Sequence, residues 1–394
     1  MAGDEKPKKK KRRLVRTIGS VLSLAALTYV AIILITGRGF DLTWFTDLFA
    51  TDEQTEMADE FIFDVGRDRV FAGLGDSLAS AGTLGIQVLD MAGGETLRDP
   101  FRMSGPALDA KGGTAVAFDI GGTAVRVFDK TRIISSLETE NTVVSASINK
   151  NGWLCVCTQG SGGYKSVATV YNNKGNEVYI ASLSSGYILS AELSDDNKSL
   201  AVLNLTENGS RVTIYNGLSS ETADCAFDLP GGLILDIRYL QDGKLAAITT
   251  QSLIAVDKNG EGEKLYDFSG KRLGAYAYGD DFYALYMLDY SVGYRGQLVT
   301  LGADGSIKGE RPTDREIVSM SSCGGYLAVL RDDGAGFYND KLEEQTSAGQ
   351  PGATTGSSLI LALEGGAALV AGDHSAIVFR TIDEATTGDS VRDD

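Results

Sequence analysis

The chain is short of the residues on which most enzymes and metal proteins depend. Its 394 residues include one histidine, four cysteines, two tryptophans and six prolines. The single imidazole, His374 in "AGDHSA", has no second histidine to share a metal, and it is read as a hydrogen-bonded structural residue rather than a ligand. Cys155, Cys157, Cys225 and Cys323 are too few and too scattered for a disulfide framework or a zinc site. In "WLCVC" the first two fall on one face of a strand, which suits buried free thiols better than a mutual disulfide; a Cys225–Cys323 bridge stays open. Six prolines beside 48 glycines suit a chain that turns on glycine, as many-stranded antiparallel folds do.

Positive charge is also missing from most of the molecule. Residues 1–16 hold eight bases and two acids, and the remaining 378 residues hold 28 bases against 51 acids, a net of −23. That balance repels a phosphate backbone, so no nucleic-acid partner is expected. Past residue 60 no stretch sustains the i, i+3, i+4, i+7 apolar pattern, which excludes a helical domain.

What is present begins with a basic cluster, Lys8, Lys9, Lys10, Lys11, Arg12, Arg13 and Arg16, then "TIGSVLSLAALTYVAIILITG", residues 17–37, without a formal charge. As a helix those 21 residues span about 31 Å, matching the hydrocarbon core of a bilayer. A cleaved signal peptide has a shorter apolar region and a small-x-small site, which "TGRGFDLTWF" does not offer, so an uncleaved transmembrane helix is predicted. The positive-inside rule then holds the tail, 1–16, in the cytoplasm and the bulk of the chain outside. Residues 38–60 read as a juxtamembrane aromatic segment and an acidic stalk.

Residues 61–382 are predicted to be all-β, with a polar tail at 383–394. One unit recurs: an apolar strand, a tight turn, and a second apolar strand. The turns fall at "GRDR" (Arg67), "KGGT" (Gly112), "KNGW" (Asn151), "DDNK" (Asp196), "QDGK" (Asp242), "GDDF" (Asp280), "CGGY" (Gly324) and "EGGA" (Gly365). Their spacing averages about 43 residues, the period of four-stranded propeller blades. Eight units predict eight blades, with seven as the alternative count. The third strand of each unit ends in Asp, Asn or Gly, as in "VATVYNNKGNE", because Asx side chains cap their own backbone and glycine accepts positive φ. The last unit lacks an outer strand, which residues near 52–60 are expected to supply, closing the ring.

The period resembles that of WD-repeat and quinoprotein-like propellers, without the Gly-His and Trp-Asp signatures of the former. A basic tail, one span and a glycine-rich acidic propeller together resemble an uncharacterised family of membrane-anchored propellers of Gram-positive bacteria. That resemblance implies the architecture and no activity.

Two motifs suggest chemistry out of context. "GDSL" at Gly75–Leu78 opens the active site of one esterase family, whose nucleophile, here Ser77, needs a later D-x-x-H; His374 has Ala371 three places before it. The repeat places residues 75–82 in the loop between second and third strands. "DIGGT" from Asp119 resembles the phosphate loop of sugar kinases, yet the repeat puts a hairpin with a Gly-Gly turn there. "DKNGEGEKLYD" from Asp257 has Phe268 where a calcium loop needs its bidentate Glu, and reads as a turn. No catalytic residue, cofactor or metal site is expected.

Function is therefore sought on the surface. In a propeller the loops between second and third strands share a face with the blade-to-blade loops, and loops carry binding. The long ones, 158–166, 204–211 and 288–297, would gather Tyr164, Tyr290, Tyr294 and Arg295, with Tyr187 nearby. Tyrosine and arginine are enriched at binding hot spots. The expected function is a non-enzymatic binding or scaffold module for a protein or cell-envelope glycan; the alternatives are an envelope enzyme or metal protein on the same scaffold, and a sensor acting through a membrane partner.

Overall fold

Alternating apolar residues punctuated by Gly, Asn and Asp build eight four-stranded antiparallel sheets in the computed structural model. It describes residues 61–380 apart from 221, 241, 291, 349–356, 365 and 373–374. The basic cluster, the apolar segment at 17–37, the stalk, His374 and the tail lie outside the described residues. Among the described residues no helix is long and apolar enough to cross a membrane.

Seven sheets pair their strands in chain order; blade 1, for example, runs Val70–Leu74, Ser77–Gly82, Gly85–Asp90 and Glu95–Asp99. Blade 8 takes three strands from the end of the chain, Ser357–Leu363, Ala367–Gly372 and Ser375–Arg380, and its fourth from the beginning. That fourth strand is Phe61–Ile62, with Phe61 opposite Ala376 and Ile62 opposite Ser375, just beyond the expected 52–60 window.

The protein is thus an eight-bladed β-propeller, not a seven-bladed one. Its core is divided among the seams between blades. Each hydrophobic cluster draws on two neighbouring blades, as where Ala81, Ile86 and Val88 of blade 1 meet Ala115, Ala117 and Phe128 of blade 2. A sheet apolar on both faces cannot stand alone, which is why the repeat must close on itself. Second strands such as Phe282–Leu288 are buried throughout, whereas fourth strands such as Ile133–Glu138 alternate with solvent.

The Asx rule for third strands holds in atomic detail in blades 1, 2, 3, 5 and 7, whereas the third strand of blade 8 ends in Arg380 and departs from it. Asp90, Asp129, Asn172, Asp257 and Asn339 each accept two backbone N–H bonds from the turn that follows, those of Asn172 coming from Lys174 at 3.0 Å and Asn176 at 3.1 Å. Asn172→Ala is expected to destabilise the domain by about 1 kcal/mol, read as a lower denaturant midpoint at unchanged slope. An unchanged midpoint would mean that the turn holds without its cap.

Four sequence expectations need correction. The first hairpin turn is Gly75–Asp76, not the Arg67 turn. Gly66 and Asp68 do have positive φ, but they bend the connection from blade 8 into blade 1, and turn composition alone could not separate two turns so close together. In consequence Ser77 opens the second strand of blade 1 rather than lying in a loop. Residues 204–211 are mostly strand, since Ser199–Thr206 and Gly209–Asn216 leave only Glu207 and Asn208 between them. Finally, Cys225 sits in the outer strand of blade 4 and Cys323 in the inner strand of blade 7, so no bridge joins them; all four cysteines are free.

Candidate functional site

Because strand direction alternates, the propeller has two unlike ends. Second-to-third and blade-to-blade connections form one, the loop face; the remaining turns form the other, the turn face. The predicted binding residues all lie on the loop face, in two groups. Tyr164 and Lys165 sit in the 160–165 loop of blade 3, and the Lys165 ammonium lies 5.7 Å from the ring centroid of Tyr187, the first inner-strand residue of blade 4. Tyr290, Tyr294 and Arg295 occupy the 289–295 loop of blade 6. There Tyr286 donates its hydroxyl to the Tyr294 carbonyl at 2.6 Å, Arg295 lies 3.8 Å from Asp289, and Glu316 raises the Tyr294 phenol above its ordinary range. A cleft of about 550 Å³ runs past Arg295, Gln297, Pro312 and Asp314. Blade 5 stands between the groups, so the structure does not bring them into one cluster.

The tempting motifs are taken up locally. Ser77 is buried, and its Oγ donates to Asp76 at 3.2 Å. Asp119 is also buried; its Oδ1 accepts the backbone N–H groups of Ser104 and Gly105, both at 2.7 Å. The Gly121–Gly122 turn exchanges two backbone bonds with Val143 of blade 3, so "DIGGT" ties one blade to the next. Among the described residues no group of three or more His, Cys, Asp or Glu side chains is placed to hold a metal ion.

Sequence reasoning missed the central channel. In blades 3 to 8 the inner strand carries a β-bulge at the same place, two or three residues in, at Val144, Leu189, Leu235, Gly274, Val318 and Ser358. The inner strands of blades 1 and 2 are regular. A bulge re-aims side chains, and here Leu189, Leu235 and Val318 are left about two-fifths exposed at the loop-face mouth (39%, 42% and 41%). A cavity of about 370 Å³ opens there, lined by Leu235, Leu273, Tyr276, Val318 and Met320 among others.

Deeper in, the inner strands carry charge. Lys111 of blade 2 reaches past blade 3 to pair with Glu192 of blade 4, whose carboxyl burial pushes up to about 7 despite the lysine. Asp109 accepts the Ile148 N–H at 2.9 Å. In blade 5, Asp236 accepts the Ile237 N–H at 2.9 Å and, weakly, the Tyr276 hydroxyl at 3.4 Å; burial raises its carboxyl above the usual range. Arg238 lies 5.2 Å from the centroid of the Tyr278 ring. The legible signal was charge inside otherwise apolar strands, in "ALDAK", "ILSAEL" and "ILDIRY".

The fold and these surfaces define a β-propeller with an apolar, loop-bearing face and a charged channel interior. Residues 55–347 match the family of unknown function DUF5711, and the chain belongs to that family. Among solved structures it is similar to BamB from Moraxella catarrhalis (16% identity, TM-score 0.52, 82% of this chain and 97% of that one). It is also similar to the C-terminal WD40 domain of Sif2 (14%, TM-score 0.59, 82% and 97%) and the β-propeller domain of Cps50 (Swd1) from Myceliophteria thermophila (11%, TM-score 0.51, 83% and 99%). At such identities the likeness is one of fold. No curated protein matches the chain.

Proposed function

We propose that this protein is a non-enzymatic binding module of the cell envelope, of the kind found in Gram-positive bacteria, which engages a partner protein through its loop face. In this reading residues 17–37 span the membrane, the basic tail stays in the cytoplasm, and the propeller stands outside it; the 21-residue uncharged run and its basic flank support that topology. The observation that carries the binding role is the contrast between the two ends. Of seventeen exposed large apolar or tyrosine side chains among the described residues, twelve lie on the loop face, including Tyr187, Leu233, Tyr290 and Val292.

The bases divide in the same way. Those in the loop-face connections are mostly arginines (Arg67, Arg69, Arg102, Arg295, Arg315), whereas the turn face carries lysines such as Lys130, Lys150, Lys174, Lys198 and Lys258. Protein interfaces are enriched in aromatic residues and arginine and depleted in lysine, so the loop face has interface composition and the turn face that of a solvated surface. A partner protein suits this composition better than a glycan.

The test is photo-crosslinking on intact cells, with a photoreactive residue at position 290 on the loop face or 258 on the turn face. A discrete adduct from 290 alone is expected, and Tyr290→Ala, Tyr294→Ala and Arg295→Ala combined should weaken binding of that partner at least ~30-fold. Equal labelling from both faces would reject the loop face as the binding surface. Labelling that appears only after lysis would reject the outward topology.

A further inference from the structure

The channel mouth is a built feature, because six consecutive inner strands bulge at one level while the two regular ones stand together on the far side of the ring. The cavity beside blades 5 to 7 has walls of Leu235, Leu273, Val318 and Met320, without a charged side chain among its lining residues. Its remaining large wall residue, Tyr276, passes a hydroxyl hydrogen bond to Asp236. At 3.4 Å that bond is long and weak. The Asp236 carboxylate therefore lies behind Tyr276, held also by the Ile237 N–H and close to the Tyr278 hydroxyl. It has no lysine or arginine nitrogen within 4.0 Å among the described residues.

Across the channel the charges alternate in sign: Asp109 and Lys111 on blade 2, Glu192 on blade 4, then Arg238 and Asp236 on blade 5. Lys111 is committed to Glu192, while Arg238 is shared between the fields of Glu192 and Asp236. Arg272, exposed at the start of the blade 6 inner strand, is the one further charged residue of the described inner strands, and the end of the row that lies nearest the apolar mouth is the Asp236 carboxylate.

We infer that the channel mouth binds an alkylammonium group, its apolar stem against Leu235, Leu273, Val318 and Met320 and its ammonium on the Asp236 carboxylate. The stem replaces water on surfaces that the bulges hold open, and the ammonium pairs with a carboxylate that has no cation in contact, in a region where a charge-assisted hydrogen bond is stronger than in water. Tyr276 yields its weak bond to Asp236 as the cation arrives. An anionic head would meet the carboxylate directly and is excluded by the same geometry.

Titration calorimetry of the purified protein with hexylammonium, hexanoate and hexanol tests this. Saturable binding of hexylammonium is expected, at least about tenfold tighter than hexanol, with no binding of hexanoate. Asp236→Asn should bring hexylammonium down to the level of hexanol, whereas Tyr276→Phe should leave it as tight or tighter because the competing hydroxyl is gone. Val318→Trp, which fills the mouth without touching Asp236, should abolish both, and an unchanged melting temperature would confirm that the fold survives. Equal binding of hexanol and hexylammonium, or hexylammonium binding that survives Asp236→Asn, would overturn the inference.

Discussion

Lys111→Ala is expected to destabilise the propeller by about 3 kcal/mol at pH 8 but by only about 1 kcal/mol at pH 5. Lys111 and Glu192 are four-fifths and nine-tenths buried, and their side chains join blades 2 and 4 across the inner strand between them. Removing the lysine leaves a desolvated carboxylate facing Asp109 and, more distantly, the Tyr239 and Cys155 side chains, with only Arg238 as a nearby cation. At pH 8 that carboxylate must stay charged without its partner or take up a proton against the bulk pH, and both are costly. At pH 5 it is already protonated, and only a hydrogen bond is lost.

The wild-type protein should show the same coupling. The Glu192 carboxyl is raised from 4.5 to about 7. Its contribution to stability is therefore complete below pH 4.5 and is lost as the pH rises through about 7, amounting to ~3 kcal/mol over that interval. The depressed carboxyls, such as Asp129, Asp196 and Asp228, act in the opposite sense and in a different window: their contribution is present above their ordinary values and disappears only in acid. Glu192→Gln should flatten the slope between pH 5 and 8. Chemical denaturation at pH 5, 6.5 and 8 measures this. A loss on Lys111→Ala that is equal at all three values would show that the pair is not coupled to titration.

The contrast between blade repeat and channel shows what a single sequence can carry. Blade number was legible because each hairpin and each Asx-capped third-strand turn depends on local backbone geometry, repeated at one spacing; Asn172 and Asp257 show their role through their immediate neighbours. The channel was not, because its contacts join residues from different repeats. Lys111 and Glu192 are 81 positions apart, and Tyr276 and Asp236 are 40 apart. The bulges were hidden for a related reason. One extra residue in an apolar strand leaves the composition unchanged, and only pairing with the neighbouring strand shows that Leu235 has no partner of its own. Tyr290, Tyr294 and Arg295 were placeable because a long polar loop between two clear strands must reach the surface.

The other large effect is expected where the ring closes. A chain beginning at Gly66 lacks the fourth strand of blade 8, together with Phe63 and Val65, which are 4% and 1% exposed. Phe63 packs edge-on to Phe71 of blade 1 at 4.8 Å within the cluster that also holds Leu363, Leu369 and Val378 of blade 8. Around it, the Asp64 N–H donates to Gln87, Asp64 pairs with Arg98 at 3.1 Å, and the Val65 carbonyl accepts the Leu84 N–H at 2.9 Å. Five residues thus fasten the last blade to the first. In a linear array an end repeat can be capped by a polar surface, but in a ring the missing strand exposes two blades at once. Phe63→Ala alone should remove about 3 kcal/mol, and the shortened chain roughly 5 kcal/mol or more, a large share of the net stability of a domain. Blade 8 should fail first, with hydrogen exchange and limited proteolysis marking residues 357–380 while blades 3 to 6 remain protected. If the shortened chain melts with the full-length midpoint, or if Phe63→Ala shifts stability by less than about 0.5 kcal/mol, the seam between blades 8 and 1 is held by the three C-terminal strands alone and the N-terminal strand is an accessory.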